Sequence, residues 1–349
     1  MTGIRTIDWV DDGVRIIDQT ALPARESWLN LSTVESMVEA IRRLAVRGAP
    51  ALGVAGAFGV ALAARQFRAD PVGLEQAVRS VRDARPTAVN LARGVDRAVA
   101  ALPSGFDAVL AAALDLRDGE LAASEAMARL GADLVISLCG ATIRVLTHCN
   151  TGGLATVSGG TALGVVVKLH QRGQLAGVIA SETRPLLQGA RLTAWELGRL
   201  GLPYRVAVDG AGPFLMARGE VDVVILGADR ICANGDVVNK VGTYAHALGA
   251  RAAGIPFIVV APESTVDPDT PTGADVPIED RDDDEVLCFG SMRIAPSDAS
   301  AVNPAFDVTP HDLVTAIVTD TRVLPGGAAE RQRKNARSSS AHSSASTPP

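Results

Sequence analysis

After about Leu134, short apolar strands alternate with helical segments, and this alternation narrows the choice of fold sharply. Strand-like runs lie at 144–149, 177–181, 204–209, 221–227 and 256–261, with segments of helical spacing between them. Such alternation predicts a parallel sheet with helices on both faces. Because ligands bind to such sheets in the crevice beyond the carboxyl ends of the strands, polar residues at those ends are the candidates for chemistry.

The first third of the chain has a different pattern, a short β portion followed by helices. β-Branched residues alternate around the turn signal Asp12-Gly13, which predicts a hairpin. Helical spacing follows at 33–45, 74–84, 87–102 and 104–130, and Pro50 suits the first turn of a further helix. We therefore predict an α/β chain with a smaller, mostly helical N-terminal domain at residues 1–132 and a parallel-sheet domain at 133–325.

Residues 326–349 are rich in Gly, Ala, Arg and Ser, and their composition predicts a disordered tail without a catalytic part. They carry four basic residues and one acidic residue, a net charge of +3. Since the whole chain carries −6, the first 325 residues carry −9. An acidic body without clusters of basic and aromatic residues argues against nucleic-acid binding as the main activity.

The cysteines, at positions 139, 149, 232 and 288, form no C-x-x-C pair and have no histidine cluster beside them, so no metal site is expected. Scattered free thiols are typical of a reducing compartment, and the N-terminus lacks the apolar stretch of a signal peptide. The most apolar run, Ala49 to Ala64, is shorter than the roughly 18 residues of a membrane span. These observations predict a cytoplasmic protein that does not associate with membranes.

Cys149 ends the first of the predicted strands and opens a glycine-containing loop, Asn150-Thr151-Gly152-Gly153. Glycines let backbone N–H groups approach a ligand closely. A lone cysteine is more often a small buried hydrophobe, which is our interpretation of Cys139 and Cys288, but its position at a strand end favours a functional role for Cys149. His148 is not expected to be its base, because successive strand residues point to opposite faces of a sheet.

Asp229 follows the strongly apolar run 221–226 through Gly227-Ala228. A carboxylate just outside such a strand is partly desolvated, which raises its pKa and suits acid–base exchange. The alternative is that Asp229 merely pairs with Arg230 or caps the following turn. Further on, a helix is predicted to begin at Asn239-Lys240, where an amide and an ammonium group would form an anion-binding corner.

Two arginines in the first third precede predicted helices and are candidates for binding a phosphate. Arg47 stands before Gly48-Ala49-Pro50, and Arg85 stands before Pro86-Thr87. An arginine beside a helix N-terminus can bind a phosphate through two N–H groups. The alternative for either one alone is a solvated surface residue, as most arginines are.

A further strand end, Glu182-Thr183-Arg184-Pro185, leads to Gln188-Gly189 and brings more polar side chains to the same edge of the sheet. The sequence contains neither G-x-x-x-x-G-K-[ST] nor a strand-linked G-x-G-x-x-G motif, so nucleotide binding has no positive support.

Taken together, these motifs resemble those of the methylthioribose-1-phosphate isomerase family. The matching motifs are Arg47-Gly48-Ala49-Pro50-Ala51, Arg85-Pro86-Thr87-Ala88-Val89-Asn90, Thr147-His148-Cys149-Asn150-Thr151-Gly152, Glu182-Thr183-Arg184-Pro185, Gln188-Gly189-Ala190-Arg191-Leu192, Gly227-Ala228-Asp229-Arg230, Asn234-Gly235-Asp236, Asn239-Lys240 and Asn303-Pro304-Ala305-Phe306-Asp307-Val308-Thr309-Pro310. They are long, keep their order and span about residues 8 to 325. The wider superfamily also includes ribose-1,5-bisphosphate isomerases and the regulatory subunits of the translation factor eIF2B.

The resemblance implies a helical N-terminal domain, a Rossmann-like C-terminal domain, a homodimer, and isomerisation of a small sugar phosphate in methionine salvage. By resemblance, Cys149 and Asp229 are the catalytic pair. The residues that by resemblance bind the substrate are Arg47, Gly48, Ala49, Arg85, Gln188, Asn239 and Lys240. No metal or organic cofactor is implied.

The implied reaction explains these residue types. An aldose blocked by a C1 phosphate ester cannot equilibrate freely with its open aldehyde, so the enzyme must help open the ring and move a hydrogen between C2 and C1. A thiol and a partly desolvated carboxyl group suit the transfers. The sequence leaves open whether the hydrogen moves as a proton or as a hydride.

The substituent at C5 separates this reaction from its alternatives. Arg47, Arg85 and Lys240 are about enough cations for one phosphate, so we expect an apolar C5 group against a wall formed by Trp28 and Leu29. One alternative is an isomerase of ribose 1,5-bisphosphate or 5-deoxyribose 1-phosphate. The other is a non-catalytic regulatory protein of the eIF2B kind, which the presence of both Cys149 and Asp229 disfavours.

Overall fold

The computed structural model describes residues 4–86 and 88–328. The first elements of the chain form a small antiparallel sheet. Strands β1 (Ile7–Val10) and β2 (Gly13–Ile17) form a hairpin, and β3 (Trp28–Leu31) pairs with β2. The turn residues Asp11 and Asp12 have φ values of 47° and 62°, a left-handed conformation that Asp tolerates better than most residues. The hairpin predicted at Asp12-Gly13 is therefore confirmed.

The helices that follow are α1 (Val34–Arg42), α2 (Ala49–Gln66), α3 (Pro71–Arg82) and α4 (Val89–Val99). Thr33 caps α1, because its hydroxyl accepts a hydrogen bond from the N–H of Ser36. In return, the Ser36 hydroxyl accepts a hydrogen bond from the N–H of Thr33. Helix α2 is buried along most of its length and packs backbone to backbone on α4. A Cβ at Gly94 would lie only 1.9 Å from the carbonyl oxygen of Gly53, so this contact requires glycine.

The long helix α5 (Phe106–Cys139) connects the helical portion to the sheet. Its first half packs on α2 and α4, and its second half contacts a helix of the sheet layer. The sequence predicted a helix ending near residue 130, and the predicted domain boundary at 132 falls inside α5. The helix continues because Ala132 and Val135 still find an apolar surface to bury, and it ends at Gly140, whose φ is +74°.

The second half of the chain confirms the predicted alternation of strands and helices. Its elements are β4 (Ile143–Thr147), α6 (Ala162–Gln171), β5 (Leu175–Ser181), α7 (Ala194–Arg199), β6 (Tyr204–Ala207), α8 (Gly212–Ala217), β7 (Val223–Leu226), β8 (Arg230–Cys232), β9 (Val237–Lys240), α9 (Thr243–Ala253), β10 (Phe257–Val260), β11 (Val266–Asp267), α10 (Asp284–Leu287), β12 (Cys288–Phe289), β13 (Met292–Arg293), β14 (Phe306–Thr309), β15 (Ala316–Val318) and β16 (Val323–Pro325). A π-helical turn, Gly189–Thr193, leads directly into α7.

The main sheet has the strand order β16-β15-β10-β7-β4-β5-β6, with every neighbouring pair parallel except β15 and β16. The chain enters this sheet at β4, adds β5 and β6 on one side, and then adds β7, β10 and β15 on the other. This is the order of a doubly wound sheet, in which the direction of winding reverses between two neighbouring central strands. Here the reversal lies between β4 and β7.

Both faces of the main sheet are covered, as the apolar runs predict. Val145 and Val223 point to the face that packs against α5 and α6, whereas Leu146 and Val224 point to the face under α8 and α9. Successive strand residues alternate in this way because the period of a β-strand is two. The chain is therefore of the α/β class.

A four-stranded sheet of order β11-β8-β9-β14 lies after β7. Its strand β9 is antiparallel to β14, with Asn239 opposite Asp307 and Lys240 opposite Phe306. The prediction that a helix begins at Asn239-Lys240 is wrong. These residues end a strand that starts with two β-branched valines, and α9 begins only after Gly242, whose φ is +105°.

The described residues contain no helix that combines the length and the apolar character needed to cross a membrane. The predicted tail at 326–349 lies mostly outside the described residues. Of the tail residues that are described, Gly326 and Ala328 donate their N–H groups to the carbonyls of Thr315 and Val314.

Candidate active site

Two polar residues follow the pair of central strands at which the winding of the main sheet reverses. Cys149 lies two residues beyond the end of β4, and Asp229 lies three residues beyond the end of β7. The two strands are parallel neighbours, with Leu146 opposite Val224, so their carboxyl ends open at the same edge. This edge is where doubly wound sheets bind their ligands.

A cavity of about 210 Å³ lies at this edge, between the helical portion and the sheet. All nine residues that were predicted for the site line it: Arg47, Gly48, Ala49, Arg85, Cys149, Gln188, Asp229, Asn239 and Lys240. A larger cavity, of about 620 Å³, contains none of the nine and is lined by a mixture of apolar side chains, such as Leu121 and Trp195, and polar ones. The smaller cavity therefore has the chemistry of an active site.

Arg47 reaches the cavity from the turn before α2. Its Nη2 atom lies 3.8 Å from the Sγ atom of Cys149, and its buried Nη1 atom has no hydrogen-bond partner among the described residues. Gly48 follows with a φ of +96°, and a Cβ there would lie 2.3 Å from the carbonyl oxygen of Ala155. Glycine is therefore required at position 48 to bring the turn against the loop that follows Cys149.

Cys149 is 9% exposed and has a φ of +59°, in the left-handed region. Its backbone N–H donates to the hydroxyl of Thr183 at 2.8 Å, and its carbonyl oxygen accepts from the hydroxyl of Thr193 at 2.6 Å. Both backbone polar groups of this residue are thus held by threonine side chains from the segment that follows β5.

The neighbouring His148 side chain is turned into the protein instead of towards the thiol. Its Nε2 atom lies 2.8 Å from the carbonyl oxygen of Val241, and its Nδ1 atom lies 3.3 Å from Nε2 of His246. Burial lowers the pKa of His148 and lowers the pKa of His246 to about 3, so both rings are neutral near pH 7. This arrangement agrees with the expectation that His148 does not act as the base for Cys149.

Asp229 lines the cleft, and its side chain is exposed to solvent through the opening. Desolvation by the surrounding protein raises its pKa, and the positive charges of Lys240, Arg47 and Arg85 oppose that rise. The alternative that Asp229 pairs with Arg230 does not hold, because the Arg230 guanidinium binds Asp267 at 2.7 Å. The carboxyl group therefore faces the cavity and its cations.

Lys240 and Asn239 enter the cavity from the end of β9. The Lys240 ammonium donates to the carbonyl oxygen of Ala305 and lies 4.7 Å from the centre of the Phe306 ring. Burial lowers the pKa of Lys240, while Cys149 and Asp229 favour its charged form. The Asn239 amide donates to the hydroxyl of Thr243 at 2.9 Å, which fixes its orientation.

The remaining predicted residues are Arg85 and Gln188. Burial and the charge of Arg281 lower the pKa of Arg85, whereas Glu279 and Asp229 favour its charged form. Gln188 is 5% exposed, and its Oε1 atom has no hydrogen-bond partner among the described residues. A buried amide oxygen without a partner at the wall of a cavity is a natural contact for a ligand hydroxyl.

The sequence missed Arg281 and Glu279, which also line the cavity. They belong to the acidic run 279–285, which has the composition of a solvated loop and gave no signal of a site. The guanidinium of Arg281 forms ion pairs with Glu285 and Glu279, so its charge is balanced within that loop.

The prediction that Trp28 and Leu29 form an apolar wall of the site is wrong, because neither residue lines the cavity. Trp28 packs instead with Ile17 and Leu22 under the N-terminal sheet. The apolar side chains that line the cavity are those of Leu44, Leu52, Leu186, Val276, Pro277 and Phe306, among others. Residues 4–86 and 88–328 contain no group of three or more His, Cys, Asp or Glu side chains arranged to hold a metal ion.

Comparison with known proteins places all nine predicted site residues inside a matched region. The model of the Initiation factor 2 subunit family matches residues 45–326. The methylthioribose-1-phosphate isomerase of Anaeromyxobacter dehalogenans is 55% identical over 313 residues, which cover 90% of this chain and 91% of that protein. A Nocardia farcinica protein described as a probable bifunctional methylthioribose-1-phosphate isomerase/methylthioribulose-1-phosphate dehydratase is 50% identical; the match covers 92% of this chain and 59% of that longer protein.

Solved structures show similarity to the same group of proteins. The 5-methylthioribose 1-phosphate isomerase of Pyrococcus horikoshii is 42% identical, with a TM-score of 0.85, and the match covers 92% of each chain. A protein of A. fulgidus described as translation initiation factor eIF-2B, subunit delta, is also 42% identical, with a TM-score of 0.83; the match covers 92% of this chain and 96% of that one.

Proposed function

Since this chain belongs to the methylthioribose-1-phosphate isomerases of the Initiation factor 2 subunit family, we propose that it converts 5-methylthioribose 1-phosphate to 5-methylthioribulose 1-phosphate in methionine salvage. One observation carries the proposal. Cys149 and Asp229 lie at the winding reversal of the main sheet and share a cavity with the cationic side chains of Arg47, Arg85 and Lys240. That set supplies proton-handling groups and a phosphate site in one place.

The proposed reaction rearranges hydrogens without adding or removing any. The bond between C1 and the ring oxygen breaks, and that oxygen takes a proton. The C2 hydroxyl loses its proton as C2 becomes the ketone, and the hydrogen of C2 is transferred to C1. A carboxyl group with a raised pKa, as in Asp229, holds a proton more readily than a free carboxyl group, and can give a proton to one oxygen and accept one from another. In this proposal the Cys149 thiol is the second group that handles protons.

The phosphate is assigned to Arg47, Arg85 and Lys240. Two guanidinium groups and an ammonium group can neutralise one phosphate and hold C1 and C2 in a fixed orientation, which lowers the barrier by positioning. Arg281 does not add a second phosphate site, because Glu285 and Glu279 already balance its charge. The cation set therefore favours a substrate with a single phosphate.

The apolar lining supports a methylthio group at C5. Burying one CH₂-sized group contributes roughly 0.8 kcal/mol, so an apolar substituent gains affinity where side chains such as Leu186 and Val276 line the cavity. A second phosphate at C5 would need its own cations and would otherwise be desolvated without compensation. We expect methylthioribose 1-phosphate to be preferred over ribose 1,5-bisphosphate, with 5-deoxyribose 1-phosphate accepted less well.

The test is a comparison of kcat/KM for these three sugars in one buffer, with the ketose product followed by NMR. The proposal predicts the highest value for methylthioribose 1-phosphate and the lowest for the bisphosphate. A higher value for the bisphosphate would assign the chain to the related isomerases. No turnover of any of the three would favour the alternative of a non-catalytic protein of the eIF2B kind, the factor named in the description of the A. fulgidus relative.

We also propose the domain layout and the oligomeric state that are implied by the resemblance. The layout is a helical N-terminal domain at about 1–132 and a Rossmann-like domain at 133–325; separate buried clusters around α2 and on the two faces of the main sheet support it. The oligomeric state is a homodimer that works without a cofactor. The scattered free thiols favour a cytoplasmic location. Sedimentation analysis of the purified chain tests the dimer.

A further inference from the structure

Cys149 has a backbone conformation that it would not keep without support. Its φ of +59° lies in the left-handed region, where the Cβ of any residue other than glycine crowds the following carbonyl. Such conformations persist when the surroundings determine them, and they concentrate at functional sites. The local sequence does not provide that support, because the strand β4 ends at Thr147 and a loop begins there.

The support on the N–H side comes from Thr183, which follows β5. The Thr183 hydroxyl accepts the Cys149 N–H at 2.8 Å and donates to the carbonyl oxygen of Ser181 at 3.0 Å, so its orientation is fixed by two bonds. The backbone N–H of Thr183 is in turn held by the Asp209 carboxylate at 2.7 Å. Thr183 is fully buried and itself has a φ of +65°. The turn at this residue therefore directs the hydroxyl towards the Cys149 N–H.

The support on the carbonyl side comes from Thr193, at the end of the π-helical turn Gly189–Thr193. Its buried hydroxyl donates to the Cys149 carbonyl oxygen at 2.6 Å and accepts from the Asn150 amide at 3.3 Å. One helical turn later, Glu196 accepts the Asn150 amide at 2.8 Å and the Gly153 N–H at 2.7 Å. A π-helical turn changes which side chains face the loop, and such turns are frequent at functional sites.

We propose that Thr183 and Thr193 are positioning residues for Cys149. Their hydroxyls hold its N–H and its carbonyl oxygen, maintain its left-handed conformation, and keep the thiol in the cavity beside Arg47. This inference rests on the proposed isomerase function for its catalytic consequence, but the geometry of the thiol can be tested without a substrate. Neither threonine lines the cavity, so neither is expected to contact the sugar phosphate.

The experiment compares Thr183→Val and Thr193→Val, which remove the hydroxyl at nearly constant shape, with Thr183→Ser and Thr193→Ser, which keep it. Thr147→Val is the matched control, because Thr147 is fully buried in the same segment and its hydroxyl has no partner among the described residues. Each variant is assayed for kcat and KM. Each is also assayed for melting temperature and for the rate at which iodoacetamide alkylates Cys149, identified by peptide mass spectrometry.

The valine variants are expected to lose about tenfold or more in kcat with KM within about threefold, since a mispositioned group affects the transition state most. Their rate of Cys149 alkylation should change several-fold, while the serine variants and Thr147→Val stay close to wild type. Valine variants with wild-type kcat and alkylation would overturn the proposal. So would equal losses in the serine variants, or loss of the fold in both valine variants, because the threonines would then be structural only.

The two readouts also separate this proposal from the proposed function. If the wild-type chain turned over no pentose 1-phosphate, the function would fail, but the alkylation rates would still report whether the threonines set the position of the thiol. If turnover were normal and the alkylation rates of the valine variants matched wild type, the positioning role alone would fail.

Discussion

Two opposing influences act on the Asp229 carboxyl group. The protein packed around it raises its pKa, whereas the charges of Lys240, Arg47 and Arg85 favour its ionised form. In the cleft the side chain is still reached by water, and a substrate that displaces this water would strengthen both influences. A carboxyl group balanced in this way can both give up and take back a proton during a reaction.

Replacing Asp229 by Asn removes this proton at nearly constant shape. We expect kcat to fall by about 100-fold or more, the usual contribution of a positioned acid–base group. KM should change much less, because the loss lies in the transition state. Steady-state kinetics with methylthioribose 1-phosphate measures both constants.

Asp133→Asn is the control for that experiment, since Asp133 is a surface carboxylate paired with Arg172 and should not affect turnover. A rise in KM with kcat unchanged would make Asp229 a substrate-binding residue and would remove it from the proton-transfer pair.

At the scale of residues, the sequence predicted which side chains gather but not how they are held. All nine candidates line one cavity, because strand ends and helix starts converge at one edge of the sheet. The sequence did not predict the role of Thr183 or Thr193, since their contacts to Cys149 depend on three-dimensional register across 34 and 44 residues. Arg281 was missed for the same reason, because an acidic loop folds back over the cleft.

At the scale of elements, α5 carries an unusual carboxyl group. Glu120 lies on this helix, and burial together with the charge of Asp320 raises its pKa from 4.5 to about 7. The folded state thus binds this proton more tightly than the unfolded chain does. The stability associated with the neutral form is complete below the unfolded pKa, near 4.5, and is lost as the pH rises through about 7.

Glu120→Gln removes that dependence, so we expect it to raise the melting temperature at pH 8 by more than it does at pH 5. Thermal unfolding at both pH values measures the difference. Asp115→Asn, at an exposed carboxylate on the same helix, should give the same change at both values. An equal gain for Glu120→Gln at both pH values would show that the Glu120 charge does not limit stability.

Elements with strong periodicity were predicted well, and short strands that pair over long distances were not. The apolar strands β4, β5, β7 and β10 and the capped helix α1 follow from local pattern. Strand β9 has only four residues and gains its partners from β8 and from β14, which lies more than sixty residues away. Its end at Lys240 was therefore mistaken for a helix start, and tertiary pairing decided the outcome.

At the scale of the whole molecule, the parallel sheet and the crevice at its carboxyl edge were predictable from alternation alone. The exact strand order was not, because nothing local fixes on which side of β4 each later strand is added. The order found brings the ends of β4 and β7 together and so creates the site.

Truncation of the C-terminal segment tests how much of the chain is needed for the fold. The composition of residues 329–349 cannot support a packed core. Gly326 and Ala328, in contrast, bond to the segment before β15. A chain ending at Ala328 is expected to match the full chain in melting temperature and in kcat/KM. A clear loss of either quantity would mean that residues 329–349 dock on the fold.

In the proposed reaction, a thiol and a carboxyl group at one edge of the sheet isomerise methylthioribose 1-phosphate. The most direct test is to incubate this sugar with the wild-type chain and with Cys149→Ser, and to follow the C2 ketone by ¹³C NMR. Serine has nearly the same size as cysteine but is far less acidic, so the fold should survive and proton exchange should not. Cys139→Ser and Cys288→Ser are controls that should keep wild-type activity, because neither residue lines the cavity. We predict that the wild-type chain forms the ketose and that folded Cys149→Ser does not. If Cys149→Ser forms the ketose at most of the wild-type rate, the Cys149 thiol has no part in the reaction.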